Sequence, residues 1–186
     1  LIIRFLELMI KDVDIIVVSD YAKGVVTPAV CSKLIEMSRN RNKPVIVDPK
    51  PKHLNLYSNV ALITPNNAEA SEMTNIEDGD DEAVLEMGPK LMKHLNTNVL
   101  ITRGERGMSL FEKDGKITNI PAKAKEIYSL IGAGDTVVAT IALALASGAS
   151  LEEAATLANI AAGIKVGKIG TASVSIDEIK RELENL

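Results

Sequence analysis

Val45-Ile46-Val47-Asp48-Pro49-Lys50 is an uninterrupted apolar run that stops abruptly at charge. A strand with one wet face alternates apolar and polar residues, whereas a run without alternation belongs to a strand covered on both faces, as in a parallel sheet between helices. Three further runs share the form. Ile15-Ile16-Val17-Val18 ends at Ser19-Asp20, Val60-Ala61-Leu62-Ile63 at Thr64-Pro65-Asn66, and Val99-Leu100-Ile101 at Thr102-Arg103-Gly104. Helical patterns lie between them: Thr27 to Met37 with Pro28 in its first turn, Asn66 to Met73, and Asp81 to Leu95. The pattern predicts the α/β class, a mainly parallel sheet covered by helices.

Outward from these runs, Leu1 to Lys11 reads as a helix. Arg4 and Glu7 inside its apolar pattern, and the lack of a small-residue cleavage site, argue against a signal peptide. With no initiating Met, the chain is expected to begin inside a longer protein. Towards the other end, Met108 to Glu112 and Lys116 to Ile120 flank Lys113-Asp114-Gly115, a hairpin signal. Pro121 to Tyr128 leads to the glycine loop, whose helix closes near Ser147-Gly148. Ser150-Leu151-Glu152-Glu153 reads as an N-cap with an acidic first turn, and its helix runs to about Lys165 or Lys168. The loop Gly170-Thr171-Ala172-Ser173 precedes a capped amphipathic tail, Ser175 to Leu186.

No linker, low-complexity tract or solenoid period divides the chain. Its 186 residues, 46% hydrophobic and 25% charged, suit a single domain over 1–186. A formal charge of -4, with no basic run and no Trp, 3 Tyr and 2 Phe, argues against a nucleic-acid partner. The lone cysteine, Cys31, has no internal disulfide partner and lies in an apolar helical pattern. It reads as a buried thiol in a reduced, cytosolic setting.

Chemistry concentrates at Gly132-Ala133-Gly134-Asp135-Thr136, where a glycine-rich loop runs into the apolar helix Val137 to Ala146. Glycines allow a tight turn, and the first amides of a helix lack internal acceptors, so this is an anion site. Asp135 stands where the helix dipole favours a carboxylate. Phosphoryl transfer to a hydroxyl needs both parts, donors for the moving charge and an acceptor for the proton. The plainer account is a glycine turn with an N-capping aspartate. Ligands of open α/β sheets bind beyond the carboxyl ends of the strands, and here those ends carry Asp20, Asp48 with Lys50, Asn66, and Thr102 with Arg103.

In chain order, Ser19 to Gly24, Val47 to Lys50, Thr64-Pro65-Asn66-Asn67-Ala68-Glu69, Thr102-Arg103-Gly104, Gly132 to Thr136, and Leu157-Ala158-Asn159 through Gly163 resemble the ribokinase-like (PfkB-type) carbohydrate kinases, most of all their heptose-7-phosphate kinase branch. The likeness extends over essentially the whole chain. It implies a three-layer α/β/α fold and a kinase that moves the γ-phosphate of ATP, with Mg2+, onto a sugar hydroxyl, in this branch the 1-hydroxyl of heptose 7-phosphate. It also implies that this is the carboxyl-terminal portion, the first strands, sugar-binding glycines and β lid lying outside it.

Carried over by position, Asp135 matches the catalytic base, and the amides of Ala133, Gly134 and Asp135, after Gly132, match the anion hole. Asn66-Asn67-Ala68-Glu69 matches an Asn-x-x-Glu motif. Spacing i, i+3 puts Asn66 and Glu69 on one helix face, and because magnesium keeps several waters, the pair is expected to hold metal-bound water and phosphate. The plainer account is a helix cap with a solvated glutamate. Thr102 and Gly104 match positions lining the nucleotide phosphates; Asn159, Gly170 and Ala172 fall where the family builds its adenine and ribose pocket. Arg103, Lys50 and Lys23 are either anion contacts or solvated cations. His53 and His94 have no partner at metal or triad spacing and read as structural or exposed, and the methionines read as core.

Two departures matter. The family pattern places Asp-x-Thr before the glycine loop, where this chain has Ser129 and Ile131, so a carboxylate for a monovalent cation and a hydroxyl beside the phosphates are both absent. A sheet without its first strands exposes an edge, which predicts a homo-oligomer or a docked partner. Two other readings stand beside the kinase: a nucleotide-binding fragment or relic without activity, and a dinucleotide-dependent oxidoreductase. The last is weak, since the third glycine of that fingerprint falls on Val137 and Lys123 to Ile127 form no clean buried strand.

Overall fold

The structure, a computed structural model, describes residues 1–122, 128–170 and 172–185. Readings that fall on residues 123–127, Thr171 and Leu186 lie outside the described residues. Six strands form one sheet in sequence order: β1 Ile16–Ser19, β2 Val45–Asp48, β3 Leu62–Ile63, β4 Asn98–Thr102, β5 Met108–Phe111 and β6 Ile117–Ile120. The first four pair in parallel, and β5 and β6 return antiparallel as the hairpin.

Right-handed crossovers between parallel strands added in one direction put every connecting helix on the same face. That face carries α2 (Pro28–Asn40), α3 (Asn67–Thr74) and α4 (Asp81–Leu95). Leu34, Met73, Met87 and Leu91 pack there against Val45, Val47, Ile63, Val99 and Ile101. The alternate residues Ile46, Leu62, Leu100 and Leu110 point the other way, onto α5 (Ala133–Ala146) and α6 (Leu151–Val166). β2, β3 and β4 thus each feed two cores by their period of two, which is why their buried residues are apolar without interruption. The expected three-layer α/β/α arrangement is present.

The third strand is shorter than the run Val60 to Ile63, although the amides of Ala61 and Thr64 still bond to the carbonyls of Val45 and Val47, each at 2.9 Å. A 3-10 segment, Pro51–Tyr57, was not anticipated; it follows β2 and brings Tyr57 and His53 under the exit of β1. Helix α1 (Ile2–Met9) rests near α2 and buries none of its own residues, and α7 (Ile176–Glu184) closes the chain beside α6. Cys31 is buried, and burial, with the nearby Asp20 carboxylate, pushes its thiol pKa up, as an inert thiol requires. Among the described residues no helix is long and apolar enough to cross a membrane.

Candidate active site at the amino terminus of α5

Helix α5 starts differently from α2, α3, α4, α6 and α7, whose N-cap side chains accept backbone amides. Its N-cap is Gly132, in the left-handed region at φ 78, and has no side chain to cap with. The Ala133 amide is spent on the Leu130 carbonyl at 3.2 Å. This corrects the expectation of three free amides: those of Gly134 and Asp135 have no backbone acceptor among the described residues and remain as the outward donors. A Cβ built on Gly134 would meet nothing within 4 Å, so the turn opens on space. Asp135 lies three residues past the N-cap and is exposed; it is not the capping residue that the plainer account supposed.

Opposite stands the exit of β1. The Tyr21 hydroxyl donates to Asp135 Oδ1 at 3.3 Å, across 114 residues of sequence. Tyr21 is held by its neighbour. Asp20 is 2% exposed; its Oδ1 accepts from the Ala22 amide at 2.7 Å, and its Oδ2 accepts from the Tyr57 hydroxyl and lies 2.6 Å from His53 Nδ1. Burial works to raise the Asp20 carboxyl, but the Tyr57, Ala22 and His53 hydrogen bonds outweigh it and hold the pKa below its ordinary value. Burial and the bond to Asp20 push the Tyr57 hydroxyl up, so it stays a proton donor. Ala22 pays with a φ of 53, a left-handed backbone that this carboxylate pins in place. His53 thus has a carboxylate partner 33 residues away, which its spacing in the sequence did not show, and His94 pairs with Asn55 Oδ1 at 2.9 Å.

Beside these, Asp48 ends β2 against Ser19 of β1. Burial foremost, then the carboxylates of Glu69, Asp135 and Asp20, raise its pKa to about 6 against the pull of Lys50. Lys50 is no free cation: its ammonium pairs with Glu69 Oε1, a bond that raises its pKa. Asn66 and Glu69 form a reciprocal capping box on α3, with Asn66 Oδ1 accepting the Glu69 amide at 2.9 Å and Glu69 Oε2 accepting the Asn66 amide at 3.0 Å. The cap is real, but the glutamate is not solvated, since its side chain is 12% exposed. Magnesium takes oxygen ligands and retains water. These oxygens fit acceptance from metal-bound water better than direct ligation, because each already receives a hydrogen bond or an ammonium. Among the described residues no group of three or more His, Cys, Asp and Glu is arranged as a metal cage.

The nucleotide-facing expectations divide. Thr102, Gly104, Ala133, Gly134 and Asn159 line one cavity of about 120 Å³ between the end of β4, the start of α5 and α6. A bridge from Asn66 to Thr102, with the Thr102 amide bonded to the Pro65 carbonyl at 3.0 Å, sets the capping box beside that cavity. Asn159 spends its amide on the Pro121 carbonyl at 2.7 Å. By contrast, Asn67 donates to Asp78, and Ala68 is an exposed residue of the first turn of α3. Arg103 is tied to Asp81 and to Ser109 Oγ at 3.1 Å, so it is neither phosphate clamp nor solvated cation in this structure. Gly170 and Ala172 do not line the cavity, and Lys23 is exposed. Tyr21 gained no role from the sequence, and Asp48 only a place among the strand-exit residues that could serve chemistry. For Tyr21 the only signal was its place in a strand-exit motif, and its partner is distant in the chain.

A family model described as pfkB family carbohydrate kinase matches residues 4–179. The bifunctional protein HldE of Geobacter sulfurreducens is 44% identical over 167 residues, 89% of this chain and 34% of that protein. The chain therefore spans about a third of the length of the curated relatives it matches. Phosphofructokinase-2 from Escherichia coli, solved in complex with potassium, has a TM-score of 0.83 at 24% identity, over 96% of this chain and 60% of that one. Arabidopsis thaliana ribokinase, solved with ribose and ATP, has a TM-score of 0.82 at 22% identity, over 97% and 59%. At such identities the two structures speak for the fold.

Proposed function

The chain belongs to the pfkB family of carbohydrate kinases, and on that premise we propose that it moves the γ-phosphoryl group of ATP onto a hydroxyl of a sugar or sugar phosphate. The acceptor we favour is heptose 7-phosphate at its 1-hydroxyl, from the motif resemblance and the similarity to HldE proteins. One observation carries the reading. An open helix terminus offers two amides with no backbone acceptor among the described residues, and an exposed carboxylate stands on the same turn. In the reaction the acceptor oxygen attacks the γ-phosphorus, the new O–P bond forms in line as the bond to ADP breaks, and the hydroxyl proton passes to Asp135. The Gly134 and Asp135 amides receive the charge spread over the moving group. Tyr21 orients the Asp135 carboxylate through its hydroxyl.

Thr102, Gly104 and Asn159 are assigned to the nucleotide through the cavity they share with the α5 turn. Magnesium, bound through water to Glu69 and Asn66, would neutralise phosphate charge. The test is Asp135→Asn in the full-length protein. Turnover should fall by about two to four orders of magnitude while ATP affinity barely changes; unaltered turnover removes Asp135 from the chemistry. Phosphorus NMR of the product identifies the phosphorylated hydroxyl, and a heptose 7-phosphate left unconsumed while another sugar is phosphorylated would replace the acceptor only. Ser129 and Ile131, in place of the polar pair, favour a second reading, a nucleotide-binding relic. Binding of Mg·ATP without any phosphorylated product selects it.

A further inference from the structure

Among the described residues two charged side chains are buried, Asp20 and Lys165, each 2% exposed. Asp20 is surrounded by donors. Lys165 is not comparably compensated: its ammonium donates to the Gly170 carbonyl at 2.8 Å, and no described carboxylate lies within ion-pair distance. A buried ammonium with only a carbonyl partner among the described residues is expensive for a fold to keep. An apolar residue in the last turn of α6 would fill the same space without that cost.

Its location suggests what the charge is for. The Lys165 Cε lies 3.5 Å from where a Cβ on Gly132 would stand, so the charged end of the side chain is packed against the N-cap of α5. The next residue, Val166, receives the amides of Tyr128 and Ser129 on its carbonyl, at 2.7 and 3.1 Å, and so anchors the chain entering the glycine loop. One turn of α6 thus holds the loop by its backbone and backs it with a cation. A helix terminus supplies about half a positive charge, and a buried lysine behind it supplies a whole one in a poorly screened place.

We propose that Lys165 is the built-in cation of the phosphoryl-binding turn, a positioning and charge-supplying residue that binds the anionic nucleotide through the glycine loop without touching it. This rests on the kinase reading above. A monovalent metal ion is the alternative means of placing one positive charge behind such a turn. With an ammonium already packed there, and Ser129 rather than a carboxylate on the segment entering the loop, the protein has no need of one.

The test compares the full-length protein with Lys165→Met and Lys165→Ala, using Mg·ATP as probe in calorimetry, thermal melting and turnover. Potassium chloride is varied against tetramethylammonium chloride at fixed ionic strength. Wild type should turn over equally with and without potassium. Lys165→Met should melt no lower than wild type when ligand-free, because a methionine replaces a buried charge that has no described carboxylate beside it, yet bind Mg·ATP about tenfold more weakly and gain nothing from potassium. Lys165→Ala should show the same loss and recover part of it with potassium or methylammonium, which fit the vacated space. A Lys165→Met protein that binds Mg·ATP as tightly as wild type, whether or not it melts lower, overturns the proposal, and so does a potassium-dependent wild type. A wild type that binds no nucleotide overturns the kinase reading and this inference together, whereas equal binding by wild type and variant overturns the inference alone.

Discussion

Asp48 works against the stability of the site that it helps to build. It sits partly buried among Glu69, Asp135 and Asp20, and its carboxyl pKa is raised to about 6 in the fold against 3.8 ordinarily. The folded protein therefore holds this proton more tightly than the unfolded chain does. The penalty for ionising it is fully present above pH 6, shrinks as pH falls, and is absent below 3.8. Asp48→Asn in the ligand-free, metal-free protein should raise stability at pH 7.5 by about 1 kcal/mol, the shift being discounted for the solvent that still reaches the group. By pH 4 the gain should have vanished. Urea midpoints across that range decide the matter; a gain independent of pH would mean that packing, not charge, is responsible. Asp20 runs the other way. Its lowered pKa adds stability above the ordinary carboxyl range that is lost in acid, as pH falls through the folded value. Neither sign was legible in the sequence, because Tyr57, His53 and Glu69 reach these carboxylates only after β1 and β2 have paired and the 3-10 segment has turned back.

Helix α4 shows how an element can run through residues that argue against it. Gly88-Pro89 lies in its middle, where glycine is entropically costly and Pro89 has no amide for the carbonyl four residues back. The helix continues because its face is fixed from outside. Val84, Met87, Leu91 and Leu95 are in the core, and Gly88 lies directly on the Phe111 ring, so that a Cβ there would stand 2.4 Å from ring carbons. Gly88→Ala should therefore destabilise by about 1–3 kcal/mol through overpacking, although alanine is the better helix former by about 1 kcal/mol. A denaturant titration that showed Gly88→Ala to be stabilising would mean that Phe111 can swing aside. Elements of this kind were legible as apolar periodicity, and so were the four parallel strands, the hairpin, and the Asn66, Ser150 and Ser175 caps, all of which depend on neighbours within a few residues. The same locality made Asp135 and its glycine turn visible. The Tyr21 contact, the Lys50–Glu69 pair and the Arg103–Asp81 tie were not, since each joins segments that only the sheet order brings together.

For the molecule as a whole, the unevenness of its coating is the outstanding physical fact. Four of the strands are covered on both faces, but β1 pairs only with β2 among the described residues, and Val17 on it is 42% exposed. Helix α1, packed on α2, turns Phe5 and Leu8 outward, 60% and 61% exposed, together with Ile2 and Met9. An edge strand with free backbone groups and an apolar helix face left in water are each a template for association. The 186-residue chain taken by itself should therefore self-associate with rising concentration in sedimentation velocity. The double variant Phe5→Glu, Leu8→Glu should shift it towards monomer, at a stability cost within about 0.5 kcal/mol, because both side chains are already in water. In the full-length protein the same substitutions separate two sources of cover. A change in oligomeric state with normal folding assigns the face to a second copy; lost stability with no change of assembly assigns it to the protein's own remaining chain. A 186-residue chain that stays monomeric throughout the concentration range would show that these surfaces need no cover.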